Sequence, residues 1–142
     1  MRDVARFFQV LADEARLQIL WLLFNHRELC VCDIMETLGI TQSKASRHLA
    51  TLRHAALVVD RKAGAWSYYS LCAPEGELER AQLESLRSEL AKHPGAARAL
   101  RSLHEWLGRK EREVSCGPRE ARGATRRAVA AIANGRAAGG RR

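Results

Sequence analysis

No stretch of this 142-residue chain approaches the roughly 18 to 20 uncharged apolar residues that a membrane span requires. The most apolar run, Ile19 to Phe24, is followed at once by Asn25, His26 and Arg27. A secretory leader is equally hard to place, because Asp3, Arg6, Asp13 and Glu14 interrupt any apolar segment near the start. A cytoplasmic protein with no membrane partner is therefore expected. The chain also lacks an internal repeat, a phosphate-cradling glycine loop and a C-x-x-C pair. No catalytic arrangement stands out, so an enzyme is not expected.

What is present is enough for one ordinary domain and a tail, with 46% apolar residues to fill a single core. The net charge of +8 is unevenly spread. Residues 1–107 carry 14 Lys and Arg against 13 Asp and Glu, whereas residues 108–142 carry 10 against 3. The expected division is thus a folded domain over 1–107 and a basic, largely disordered tail over 108–142. Any nucleic-acid binding by the folded part must come from local patches rather than bulk charge.

The folded part reads as mainly α. Val4, Phe7, Phe8 and Leu11 recur at helical spacing, and a second helix capped by Asp13 presents Leu17, Leu20, Leu23 and Phe24. After a short strand-like connector over 28–31, a third helix runs to Leu38. Gly39 stops it and Thr41 caps a fourth helix that continues to Ala55. Two helices joined by so short a glycine-containing turn form a helix-turn-helix. Strands over 57–61 and 66–71, with a turn around Gly64, then make a two-stranded β-wing. By alternation Trp66 and Tyr68 share a face of the second strand and are expected to pack on the helices. A final helical region is interrupted by Pro94-Gly95.

The fourth helix divides by chemistry. At 100° per residue, Ala45, Leu49 and Leu52 fall on a core side, while Ser43, Arg47, Ala50 and His54 lie opposite, flanked by Lys44, Ser46 and Thr51. Small residues beside hydrogen-bonding and cationic ones, with no acid among them, suit entry into a major groove. Charged residues that merely solvate a helix face are commoner in general. The tight Gly39 turn before this helix and the basic hairpin after it, with Arg61 and Lys62 beside Gly64, favour double-stranded DNA as the partner. His48 falls at the boundary, as a packing residue.

The four cysteines, in a reducing compartment, are ligands, sensors or core residues rather than disulfide staples. Cys30 and Cys32 are one residue apart at the start of the third helix, where two thiols can converge on one soft ion. Two inert, buried cysteines are the competing reading.

The run Glu28-Leu29-Cys30-Val31-Cys32-Asp33-Ile34 closely resembles the metal box of the ArsR/SmtB repressors. Gln42 to Leu49 resembles their recognition helix, and Leu52 to Tyr69 their passage from helix to wing. The resemblance covers about residues 4 to 107 in order. It implies a winged helix-turn-helix that dimerises through its first and last helices, binds operator DNA when ligand-free, and dissociates on binding arsenite or antimonite, As(III) or Sb(III). Cd(II), Pb(II) and Zn(II) are further candidate inducers. Onto this chain it carries Cys30 and Cys32 as ligands and Gln42, Ser43, Lys44, Ser46 and Arg47 as DNA contacts.

Arsenite-responsive members often carry a third cysteine one helical turn after the second, where this chain has Met35. The third thiolate then falls to Cys116, to Cys72, or to a small thiol or solvent, with Cys116 favoured. Zinc-responsive members use an Asp-x-His and a His-x-x-Glu on the last helix. His93 and His104 have the matching separation, but the carboxylate positions hold Ala91 and Leu107. A repressor controlled by oxidation of Cys30 and Cys32, and a small thiol enzyme such as an arsenate reductase, are the alternative functions.

Overall fold

The structure is a computed structural model that describes residues 1–115. In chain order the elements are α1 (Arg2–Leu11), α2 (Glu14–Asn25), β1 (Leu29–Cys30), α3 (Val31–Leu38), α4 (Gln42–His54), β2 (Val58–Ala63), β3 (Trp66–Leu71), α5 (Glu77–Lys92) and α6 (Pro94–Ser115). The compact unit Met1–His104 contains the core described below.

Local chemistry accounts for the helix ends. The Asp13 carboxylate accepts the Arg16 N–H at 3.1 Å and caps α2, and the Thr41 hydroxyl accepts the Lys44 N–H at 3.3 Å to cap α4; each such cap is worth about 1 kcal/mol. Gly39 ends α3 in the left-handed region with φ 65°, its N–H bonded to Met35 O. Pro94 begins α6, where its missing N–H costs nothing.

Five consecutive residues of α2, Ile19 to Leu23, are buried, so this helix is enclosed nearly all round and not only on the stripe that helical spacing suggested. Around it Phe7 and Val10 of α1, Ile34 of α3, Ala45, Leu49 and Leu52 of α4, Leu83 of α5 and Leu103 of α6 complete the core. The Trp21 indole N–H donates to Ala96 O at 2.9 Å and ties α2 to the first turn of α6.

The wing has three strands, ordered β1-β3-β2, where the sequence suggested two. The connector before α3 supplies the extra one, pairing Leu29 with Tyr69 and Cys30 with Tyr68. The hairpin itself turns through Gly64, at φ 62°, and Ala65, between the paired Ala63 and Trp66.

The expected packing of Trp66 requires correction. Buried Leu29 and Val58 lie opposite Tyr69 and Leu71, and buried Cys30 lies opposite Tyr68, so both faces of β3 are covered at its middle and base. Trp66 is 54% exposed beside the hairpin turn, whereas Tyr68 is half-buried, paired across the sheet with buried Cys30 on one side and with Arg61 on the other. Alternation groups residues by face without saying how far along the strand the core extends. Trp66, beside the turn, lies beyond it.

Among the described residues, one that is not glycine adopts a left-handed backbone. After α4, the Leu57 N–H bonds to Leu52 O and the Ala56 N–H to Arg53 O, the pattern in which the intervening position is left-handed and usually glycine. That position is Ala56, at φ 58°. Ala56→Gly should raise the stability of the fold by up to about 1 kcal/mol, because glycine meets no Cβ penalty there. Urea denaturation checks this, and an unchanged or lower midpoint refutes it.

Candidate metalloid and nucleic-acid site

Cys30 belongs to two elements at once. Its backbone is the last residue of β1, and it is also the N-cap of α3. The Asp33 carboxylate accepts the Cys30 N–H at 2.9 Å, while the Cys30 side chain lies over the N–H of Asp33, so the two residues cap each other. Both are almost fully enclosed, Cys30 at 1% and Asp33 at 3% exposure. Cys32, on the first turn of α3, is half-buried.

Cys30 precedes α3 in an extended conformation, φ −85° and ψ 167°, and Cys32 is the second residue of that helix, so the two thiols flank the point where strand turns into helix. Cys72 follows β3, four residues beyond the partner of Cys30, which places it about 13 Å away along the strand. Its thiol is directed to Ala73 O at 3.9 Å. Cys116 lies outside the described residues.

On α4, Gln42, Ser43, Lys44, Ser46 and Arg47 are all exposed, while Ala45, Leu49 and Leu52 are buried, as the helical projection required. His48 is half-buried at the edge, with its Nδ1 3.4 Å from Arg16 Nη1. Arg16 in turn donates to Val10 O at 2.6 Å and Gln9 O at 3.2 Å, closing the C-terminus of α1. The α3–α4 connection is only Gly39 to Thr41.

The two basic wing residues differ in state. Lys62 is exposed and pairs with Ser67, whereas Arg61, on the opposite face, makes a double hydrogen bond to Glu28, with Nε to Oε1 at 3.0 Å and Nη2 to Oε2 at 2.9 Å. The Arg61 guanidinium also lies 5.1 Å from the centre of the Tyr68 ring, and Tyr68 is the cross-strand partner of Cys30. Arg61 thus binds the segment leading into the cysteines to the outer strand. Sequence reasoning placed Arg61 only at DNA and gave Glu28 no partner, because their contact joins residues 33 positions apart.

Comparison with known proteins matches residues 13–59 to bacterial regulatory proteins of the arsR family. The arsenical resistance operon repressor of Escherichia coli is 52% identical over 66 residues, 46% of this chain and 56% of that protein. The repressor of the same description from Bacillus subtilis is 42% identical over 71 residues, 50% of this chain and 68% of that one. The chain belongs to the arsR family. It spans about half the length of the first curated relatives it matches. Among solved structures, it resembles a homodimeric winged helix-turn-helix DNA-binding domain of Mycobacterium bovis, a possible ArsR-family transcriptional regulator. That likeness has a TM-score of 0.52 and 31% identity, and covers 66% of this chain and 82% of the other. The arsR family is one of regulators rather than enzymes, so the thiol-enzyme alternative falls away.

In this family member the Arg61 guanidinium holds the Glu28 carboxyl below its ordinary value near 4.5, chiefly by hydrogen bonding, against the opposing effect of burial. A carboxyl lowered in the folded state contributes stability above its ordinary value and loses it as pH falls through the lowered one. Arg61→Gln should let the Glu28 midpoint rise back toward 4.5. Carbon-detected carboxyl titration measures this directly, and a midpoint unmoved by the substitution would show that Arg61 does not set it.

Proposed function

We propose that this protein is a metalloid-responsive transcriptional repressor that binds operator DNA as a homodimer and releases it when arsenite or antimonite binds Cys30 and Cys32. The observation that carries this reading is the position of Cys30, shared between the wing sheet and the start of the helix that leads into α4. The family and the arsenical resistance repressors among its relatives support it. No helix among the described residues is long and apolar enough to cross a membrane, which agrees with a cytoplasmic regulator.

Dimerisation runs through α1 and α6. Val4 and Phe8 of α1 leave 38% and 44% of their surfaces exposed, an apolar face available to a second copy. The two α4 helices of the dimer then enter successive major grooves about 34 to 36 Å apart. Arg47 and Lys44 supply cationic donors to guanine edges or phosphates, and Gln42, Ser43 and Ser46 supply adaptable hydrogen bonds. Lys62 adds a wing contact to the phosphates, while Arg61 acts from its place on Glu28.

Drawing Cys30 and Cys32 onto one ion opens the first turn of α3 and breaks the mutual cap with Asp33. The displacement has two short routes to DNA: through Gly39 to Thr41 into α4, and across the Cys30–Tyr68 pairing into the wing. Cys116 is the favoured third thiolate for a trivalent metalloid, with a small thiol as its substitute. Cd(II), Pb(II) and Zn(II) remain weaker candidates for the same thiols.

The ligand must bind the free dimer more tightly than the DNA-bound one, and linkage requires DNA to weaken ligand binding by the same factor, typically about 1 to 3 kcal/mol. Arg47→Ala should abolish specific operator binding in a folded dimer. Cys30→Ser and Cys32→Ser should each bind the operator yet fail to release it with arsenite or antimonite. Fluorescence anisotropy on promoter DNA reads both. Arsenite-driven release from the double cysteine variant would overturn the sensing assignment, and release by peroxide in metal-free buffer would favour a redox sensor.

A further inference from the structure

His26 follows the end of α2, its backbone N–H bonded to Leu22 O, and His104 lies on α6, 78 positions later in the chain. Their Nε2 atoms are 3.2 Å apart, with ring centres at 5.2 Å and planes inclined by 63°. Two imidazole nitrogens bound to one tetrahedral Zn²⁺, at the usual 2.0 to 2.1 Å, stand about 3.3 Å apart. The right angle of a square-planar ion would bring them to about 2.9 Å. From this separation we infer that His26 and His104 form a two-histidine binding site for a tetrahedral divalent cation, Zn²⁺ being the best match.

The scaffold around the pair is firm. Trp21, five residues before His26, donates its indole N–H to Ala96 O, and buried Leu103 adjoins His104, so α2 and α6 are docked independently of the imidazoles. Burial and the neighbouring His104 both lower the pKa of His26, while the carboxylate of buried Asp33 acts in the opposite sense. That same negative charge favours a cation at the site. Among the described residues no third His, Cys, Asp or Glu completes the set. Water fills the remaining positions, and binding is correspondingly weaker than at a four-ligand structural zinc site.

This site is distinct from Cys30 and Cys32 and does not depend on their sensing role. Its location gives it a consequence. His26 precedes Glu28 and the cysteine segment, so a bound ion fastens the base of that segment to α6.

The pair can otherwise be an ordinary hydrogen bond, in which one Nε2 carries a proton and the other accepts it. A metal needs both nitrogens bare, so the two states differ in a measurable way. The test is a Zn²⁺ titration of the full-length protein followed by the imidazole ¹⁵N and ¹H signals of all five histidines. His26 and His104 should shift together and saturate with a common midpoint, with both Nε2 nitrogens moving to metal-bound positions, while His48, His54 and His93 hold still. His104→Gln, on an exposed position, should weaken binding at this site by at least about tenfold and leave the fold intact. A Cys30→Ser, Cys32→Ser variant should retain the saturating shift, which separates this site from the thiols. Zn²⁺ that leaves the His26 and His104 signals unmoved, or that perturbs all five histidines alike, overturns the inference.

Discussion

The hydrogen bond from the Cys30 N–H to the Asp33 carboxylate is the constraint on which the functional half of the molecule depends. Asp33 is the buried charged residue of the core among the described residues, and a carboxylate removed from water needs its donors in place. The bond is available only if the chain turns from strand to helix at Cys30. That turn sets the register of β1 against β3 and the direction of α3, and α3 sets α4 through a three-residue connection. Any ligand that pulls on the Cys30 sulfur therefore acts on a bond whose loss leaves a buried charge less well satisfied.

The same economy explains α4. Its inward residues Ala45, Leu49 and Leu52 are fully enclosed and hold the helix against α2, so the outward residues are free of packing duty. Arg16 and His48 close one edge of this contact, and the Thr41 cap fixes the other end. A helix so held can present Gln42, Ser43, Lys44, Ser46 and Arg47 as a rigid set. Positioned side chains bind with less ordering cost than mobile ones.

Helical features were largely legible in the sequence because their signals are local. Asp13, Gly39, Thr41 and Pro94 each mark a helix end by chemistry that acts within a few residues, and the structure uses all four so. The inward face of α4 followed from period alone. What escaped was whatever depends on distant partners. The cover over β3 comes from Leu29, Cys30 and Val58 of two other strands, and β1 itself is only two residues long, too short for any alternation to announce it. Glu28 looked like part of a motif, yet its role is set by Arg61 across the sheet. His104 falls into a pattern with residues of its own helical region, whereas its neighbour in the fold, His26, follows α2.

The wing and α4 are linked to Cys30 by different mechanics, and this bears on how a repressor of the proposed kind would let go. The sheet route runs through backbone pairing and the Glu28–Arg61 contact, so it leads to Lys62, the wing's phosphate contact in the proposed complex. Phosphate contacts hold affinity and carry the salt dependence without discriminating sequence. The helical route leads to Arg47 and its neighbours, the base contacts of the proposed complex. A displacement confined to the wing would weaken operator and random DNA alike, whereas one confined to α4 would leave nonspecific binding intact. Opening the first turn of α3 disturbs both, because Cys30 is the residue they share. Specific and nonspecific affinity should then fall together on ligand binding, with the larger fall on the operator.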